Sequence, residues 1–565
     1  MAVVVVISGS VYGYQRFSNS GCTGSIRLNV AAATEIAPAV DQAANQWVAK
    51  GAQVKGTCVA VSVSAINPAT MAAAIAREHQ VTLAGLGAAP ASVHPPDIWI
   101  PDSYTWLLRL KSEASGFLPT DGKSIAQSPI VVAMPVPVAE QAFHWPDKKL
   151  GWQDLVAQMT KSNTVRTGIV DPNRDAAGLA GLLALSQAAG ETPAGQAARV
   201  GALRALAAGS SALRDDLLQK FPHSADANDV ASSLSAAPLS EEDVIQYNAE
   251  KPPIPLAALY LDPAPPPLDY PFAVMPEVDL AKSTAAAALR QHLQTASFRE
   301  MLGSKGLRSS DGTAGSTFAK PIGASVPTSP ATQPSAAGGA AAATPDASQI
   351  SQALGGWSAI TLPGRVLAVF DVSGSMLEPV PTAGNLNRAQ VTQGAASQGL
   401  ALFDDKWAVG VWLFSTNMVG KRPWKELVPI SPLTSARTRL QASISKIVPK
   451  RNGDTGLYDT ALAAYKNVKN GWEPGRVNAV LLFTDGQDSN QGITRADLIA
   501  QLKKLNDPVH PVRMIIIGIG PEVDRNELEA VTKATSAGGV FVAPDPAKIG
   551  DIFLEAIGSR SGAVN

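Results

Sequence analysis

Four continuous apolar runs of strand length restrict the C-terminal part of this chain more than any other feature. They are Arg365–Asp371, Trp407–Phe414, Val477–Phe483 and Val512–Ile519. A strand with one wet face alternates apolar and polar side chains, whereas a strand covered on both faces stays apolar throughout. Stretches of helical character lie between and after these runs, at 387–403, 434–447, 456–469, 493–505, 525–536 and 546–558. Strands alternating with helices predict a doubly wound α/β domain, whose ligands belong at the carboxyl ends of the strands.

The first of these runs ends in Asp371-Val-Ser-Gly-Ser-Met376. A carboxylate at the end of a buried strand needs a partner. Ser373 and Ser375 follow at alternate positions, and Gly374 permits the tight turn that aims both hydroxyls the same way. Two further pieces come in order: Thr455 in the glycine-rich loop Asn452–Asp459, and Asp485 at the end of the Val477–Phe483 strand. Carboxylate and hydroxyl oxygens suit Mg²⁺, Mn²⁺ or Ca²⁺ and suit zinc poorly. Together these five residues resemble the metal-ion-dependent adhesion site of von Willebrand factor A domains, over about 200 residues. The resemblance implies direct metal contact from Ser373 and Ser375, and from Thr455 in a ligand-bound state. It implies that Asp371 and Asp485 act partly through water. One coordination position would then stay open for a carboxylate from a partner protein. Only two of the five groups are charged, which leaves the cation electrophilic. Asp454, Asp459 and Asp488 read as rim or capping groups, and Glu378 as a residue able to influence partner choice.

The N-terminal segment alternates strand-like and helix-like runs. Ile26–Val30 leads through Ala31–Glu35 into a helix reaching about Lys50, and Val61–Ser64 is a second strand. Pro96–Trp106 (PDIWIPDSYTW) begins as strand and turns into helix, while Pro129–Pro135 (PIVVAMP) reads as a crossover to a second lobe. Ile254–Tyr260 and Leu268–Phe272 read as the return to the first lobe. This layout resembles bacterial solute-binding proteins of the type 2 periplasmic class, over about 280 residues. In that family the ligand sits between the lobes, against free amides at helix N-termini. The implied lining positions are Ala33, Thr34, Asp102, Ser103, Tyr104, Asp171 and Asp175, for a small-molecule or peptide ligand.

At 565 residues the chain is too long for one core. The expected division is a remnant of a membrane anchor or signal segment at 1–21, a solute-binding-like domain at 22–308, an Ala/Gly/Ser/Pro linker at 309–352 and the A domain at 353–565. The linker composition has too little bulky apolar surface to offset ordering entropy, which predicts a flexible tether. Residues 1–8 are apolar and followed by Tyr12, Tyr14 and Arg16. A spanning helix needs about 20 apolar residues, so this run reads as the outer end of a longer signal or anchor. The only two cysteines, Cys22 and Cys58, bracket the first strand–helix unit and fit a disulfide in an oxidising compartment. The six histidines are scattered and form no zinc pattern.

A net charge of −1 without a basic stripe argues against nucleic-acid binding. No GxxxxGK[ST] loop and no clear nucleophile–base pair is present, which argues against an enzyme. The expectation is therefore an extracytoplasmic, membrane-associated protein that recognises a partner carboxylate through its metal site. The alternatives are a solute receptor of a transport system and an accessory subunit of a metal-insertion complex.

Overall fold

The computed structural model describes residues 22–558, apart from 148–149, 162–164, 190–192, 326–344, 362, 475, 487, 490–491, 508–509 and 536–537. The expected anchor remnant at 1–21 lies outside the described residues.

In the C-terminal domain six strands pair in the order Arg422–Pro432, Ala408–Val419, Gly364–Asp371, Val477–Thr484, Arg513–Ile519 and Gly538–Ala543. Every pairing is parallel except the first. Gly364–Asp371, Val477–Thr484 and Arg513–Ile519 are buried at every position, which accounts for their unbroken apolar character. The six expected helices form at Arg388–Leu402, Leu433–Ile444, Leu457–Asn470, Arg495–Leu505, Arg525–Thr532 and Ile549–Gly558. Both edge strands escape the apolar pattern. Arg422–Pro432 carries three prolines, which a sheet tolerates only at an edge, and Gly538–Ala543 opens on two glycines.

The N-terminal domain has two lobes. The first is built on a six-stranded sheet ordered Gln53–Val54, Thr57–Ala65, Ser25–Ala32, Ile98–Ile100, Pro271–Val274 and Thr120–Ser124. Parallel pairing of Ser25–Ala32 with Thr57–Ala65 and Ile98–Ile100 brings the loops after these strands to one edge. Ala33 N–H donates to the Ile100 carbonyl there at 2.8 Å, which sets the 33–35 loop beside the 101–103 loop. The second lobe carries an antiparallel sheet of Ala237–Ser240, Ile130–Pro135 and Leu256–Leu259.

One sequence expectation needs correcting. Leu256–Leu259 stays in the second lobe, paired with Ile130–Pro135, and only Pro271–Val274 rejoins the first sheet. A four-residue buried run has no periodicity that tells which sheet it joins. The two crossing segments lie side by side, with Ser128 and Leu268 exchanging backbone hydrogen bonds at 2.8 and 2.9 Å. The Cys22–Cys58 disulfide ties the entry of the first strand to its parallel neighbour, with Cα atoms 5.4 Å apart.

The expected linker is structured on both flanks of the 326–344 segment. Arg308–Ser309 pairs with Ala126–Gln127, and Arg308 donates to the Ser325 carbonyl at 2.7 Å. The helix Ala347–Thr361 begins ahead of residue 353 and packs on both domains. Its Ile350 and Leu354 meet Leu179 and Leu183 of the helix Ala176–Ala189, and it also packs along Ile549–Gly558. Trp357, only 2% exposed, donates Nε1–H to Asp171 Oδ1 at 3.0 Å. Arg204 adds a direct bond from the second lobe to the Ala401 carbonyl, at 3.0 Å.

Two stability outcomes follow. Replacing Cys22 and Cys58 by serine removes a cross-link between residues 36 apart, for which loop entropy gives a loss of about 3–4 kcal/mol, read as a lower urea midpoint of the N-terminal domain. Trp357→Ala removes a buried indole and its hydrogen bond to Asp171. It lowers stability by about 3–5 kcal/mol, and limited proteolysis then cuts near residues 345–362.

Candidate functional site

The carboxyl ends of Gly364–Asp371 and Val477–Thr484 meet in one hydrogen-bonded cluster. Asp371, fully buried, accepts from Ser373 N–H at 2.8 Å through Oδ1 and from Thr484 Oγ1–H at 2.7 Å through Oδ2. The Ser373 and Ser375 hydroxyls lie 3.0 Å apart, and Ser375 donates to Asp485 Oδ1 at 2.8 Å. Asp485 Oδ2 accepts from Arg388 Nη1 at 3.0 Å. The turn is tight because Gly374 N–H reaches the Gly453 carbonyl at 2.8 Å, and a Cβ at Gly374 would stand 2.8 Å from the Arg451 carbonyl oxygen. Thr455, 6% exposed, lies beside the Asp485–Gly486 turn: a Cβ at Gly486 would be 3.6 Å from Thr455 Oγ1. Its N–H donates to Ser489 Oγ at 2.9 Å.

Burial, then the nearby Asp485 carboxylate, push the Asp371 carboxyl up to about 7 against the hydrogen bonds from Ser373 and Thr484. Two carboxylates and two hydroxyls packed this closely repel through their lone pairs unless protons or a cation intervene. The donor chemistry therefore fits a hard divalent ion. Among the described residues no three His, Cys, Asp or Glu side chains gather as a metal group. Here the donors beyond Asp371 and Asp485 are hydroxyls.

The neighbouring acids have other tasks. Asp488 Oδ1 accepts from Leu457 N–H and Tyr458 N–H at 2.7 and 3.1 Å, capping the helix Leu457–Asn470. Asp459 accepts from Ile493 N–H at 3.3 Å, and Asp454 N–H donates to Thr416 Oγ1 at 3.0 Å. Glu378 pairs with Arg388 Nη2 at 2.6 Å, and Glu522 pairs with the same nitrogen at 3.0 Å. Sequence reasoning missed Arg388 and Thr484. A signal existed for the first: Arg388 opens a helix directly after the cap Asn387, where a cation opposes the helix dipole.

The second constellation lies between the lobes, in a cavity of about 820 Å³. Of the expected lining positions, Thr34, Asp102 and Asp175 border it. Ala33 is buried behind the loop. Ser103 caps the helix Tyr104–Glu113 through Thr105 N–H at 3.2 Å, and Tyr104 N–H donates to Asp269 Oδ1 at 2.7 Å. Asp171 accepts from Trp357 and from Asn173 N–H and Nδ2–H, all at 3.0 Å, which turns its side chain toward the bridging helix. The residues not foreseen are Glu35, Arg214, Glu242 and Asp243. Arg214 joins the lobes: it reaches Asp175 at 2.8 Å and Asp243 at 3.1 Å in the second, and stands 3.8 Å from Asp102 of the first.

Residues 28–308 match the family of bacterial extracellular solute-binding proteins, and residues 366–555 match the von Willebrand factor type A domain. The chain joins a solute-binding-protein-like fold to a von Willebrand factor A domain. Along 98% of its length it is similar, at 26% identity over 601 residues, to a Mycobacterium tuberculosis protein described as uncharacterized, of which it covers 82%. Among solved structures, the sulfate-binding protein SubI of Mycobacterium tuberculosis aligns with 51% of this chain and 87% of its own, at 16% identity and TM-score 0.33. Proximal thread matrix protein 1 of the mussel byssus, with a zinc-occupied MIDAS motif, aligns with 35% of this chain at 20% identity and TM-score 0.28. The match spans 47% of that structure, less than half its length.

The raised Asp371 carboxyl gives the A domain a pH signature. With a folded value of about 7 against an ordinary 3.8, the metal-free folded state binds the proton more tightly than the unfolded chain. The full stability is present below about pH 4 and falls as pH rises through 7. Asp371→Asn therefore raises the melting temperature of the metal-free protein at pH 8, by roughly 2–4 °C per kcal/mol regained, and changes little at pH 4. Equal effects at both pH values would contradict this.

Proposed function

We propose that this chain is a non-enzymatic, extracytoplasmic binding protein that uses a divalent cation in its A domain to recognise a carboxylate on a partner protein. The observation that carries the reading is the shared hydrogen-bond cluster of Asp371, Ser373, Ser375 and Asp485, with Thr455 beside it. Ser373 and Ser375 would hold the ion directly, with Thr455 joining in the ligand-bound state and Asp371 and Asp485 acting partly through water. A hard ion, Mg²⁺ or else Mn²⁺ or Ca²⁺, suits these oxygens. When bound, it supplies a Lewis-acidic position for an outside carboxylate.

The chain's own residues prepare that position. Thr484 and the Ser373 amide hold Asp371 in place, and Arg388 holds Asp485 from behind. Ser375 is half-buried at the mouth, so approach from solvent is open. The interlobe cavity serves as a second site, for a small molecule, and its volume falls in the usual range of roughly 300–1,000 Å³ for such pockets. The disulfide supports an oxidising compartment. Among the described residues no helix is long and apolar enough to cross a membrane. The membrane association expected from the sequence falls on residues 1–21, which lie outside the described residues.

Thermal denaturation with Mg²⁺ or Mn²⁺ against chelator tests the metal site. Saturation at about 100 times Kd stabilises the parent by about 2.7 kcal/mol, and Asp371→Ala and Ser375→Ala lose the shift. Equal metal-induced shifts in parent and variants would overturn the reading. Capture of extracytoplasmic proteins by the parent in Mg²⁺, lost in chelator, tests the partner carboxylate.

A further inference from the structure

The cleft between the lobes is acidic in a way that its hydrogen bonds do not resolve. Glu35 and Asp102 reach it from the first lobe, and Asp175, Glu242 and Asp243 from the second. The guanidinium of Arg214 is the cation at their centre. The cavity's other guanidinium, Arg174, is drawn to the Leu86 carbonyl at 3.3 Å, and further acids at the rim, Asp215 and Glu250, outweigh it.

Two of these carboxylates are deeply buried without a cation in close contact. Asp102 is 2% exposed; its Oδ1 accepts from Trp106 Nε1–H at 2.7 Å, while among the described residues Oδ2 receives no hydrogen bond and has Arg214 only at 3.8 Å. Glu242 is 6% exposed; Gln246 hydrogen-bonds its carboxyl, and among the described residues no cation lies within 4.0 Å of it. Burial first, and neighbouring acids next, raise both carboxyls above their ordinary range. Uncompensated buried charge is costly, and both groups border an open cavity of about 820 Å³. That space is far too large for a bare metal ion and fits an organic molecule. Tyr247 adds an aromatic ring to the wall, and aromatic faces attract cations. An oxyanion, by contrast, would enter against the summed field of these acids.

We infer that the interlobe cleft binds an organic cation bearing two or more amino or guanidinium groups, with Asp102 and Glu242 as its carboxylate anchors and Arg214 holding the two lobes around it. The inference rests on the reading of this cleft as a small-molecule site and names the class of ligand.

Isothermal titration of the full chain in Mg²⁺ tests it, with spermidine and arginine as cationic probes, sulfate and molybdate as anionic probes and glucose as a neutral one. The expected result is binding of at least one cationic probe and of neither anion. Asp102→Asn and Glu242→Gln should each weaken that binding at least about tenfold, the equivalent of 1.4 kcal/mol. Sulfate, molybdate or glucose binding without any cation would overturn the ligand class and leave the small-molecule site standing. No response to any probe would overturn both. Cation binding unchanged in both variants would overturn the anchoring roles, and with them the inference. Should a variant fail to fold, the titrations of the parent still decide the charge class.

Discussion

The strand Gly364–Asp371 is buried along its whole length and ends in a carboxylate. That places an ionisable group where water cannot reach it, and the surrounding chain is organised around the problem. Thr484 and the Ser373 amide each donate to one oxygen of Asp371. The Ser373–Ser375 turn that follows can form only because Gly374 presents no side chain to the Arg451 carbonyl. Asp485, arriving from the neighbouring strand, adds a second negative charge and passes part of it to Arg388. The arrangement holds two acids in a dry place without neutralising both, a donor set that fits the divalent ion proposed above.

Most of this was legible in the chain itself. Unbroken apolar runs reveal strands covered on both faces, and the motif residues fall at their ends, so both the sheet and its ligand-bearing edge can be read from spacing. Arg422–Pro432 was hidden because an edge strand tolerates the prolines that look like loop. Leu256–Leu259 was misplaced because four buried residues have no period. At the site, Asp371, Ser373, Ser375, Thr455 and Asp485 could be named because they sit within compact motifs. Arg388 and Thr484 could not, since their roles depend on side chains that meet across 97 and 113 residues of sequence. Glu35, Arg214, Glu242 and Asp243 were missed for the same reason: the cleft is assembled from a turn of the first lobe and helix first turns of the second, which meet only after both lobes have formed.

Both constellations share one electrostatic solution. Arg388 is divided among Asp485, Glu378 and Glu522, and Arg214 among Asp175, Asp243 and, at longer range, Asp102. A planar guanidinium with five N–H donors can serve several carboxylates at once, yet it carries a single positive charge. In each place it orders the acids while leaving an excess of negative charge. At the strand ends hydroxyls fill the gaps between the acids. Between the lobes that excess faces a wide cavity.

The helix Ala347–Thr361 alters what joining two binding domains means in this chain. A tether of small residues alone would let two sites sample each other over a volume set by polymer statistics, with an effective concentration that falls as the tether lengthens. Here Ile350, Leu354 and Trp357 dock against the solute-binding domain while the same helix lies along the last helix of the A domain. The separation and bearing of the Asp371–Asp485 cluster relative to the cleft are then properties of side-chain packing. The two candidate sites then face solvent at a separation set by packed side chains and not by the length of a tether.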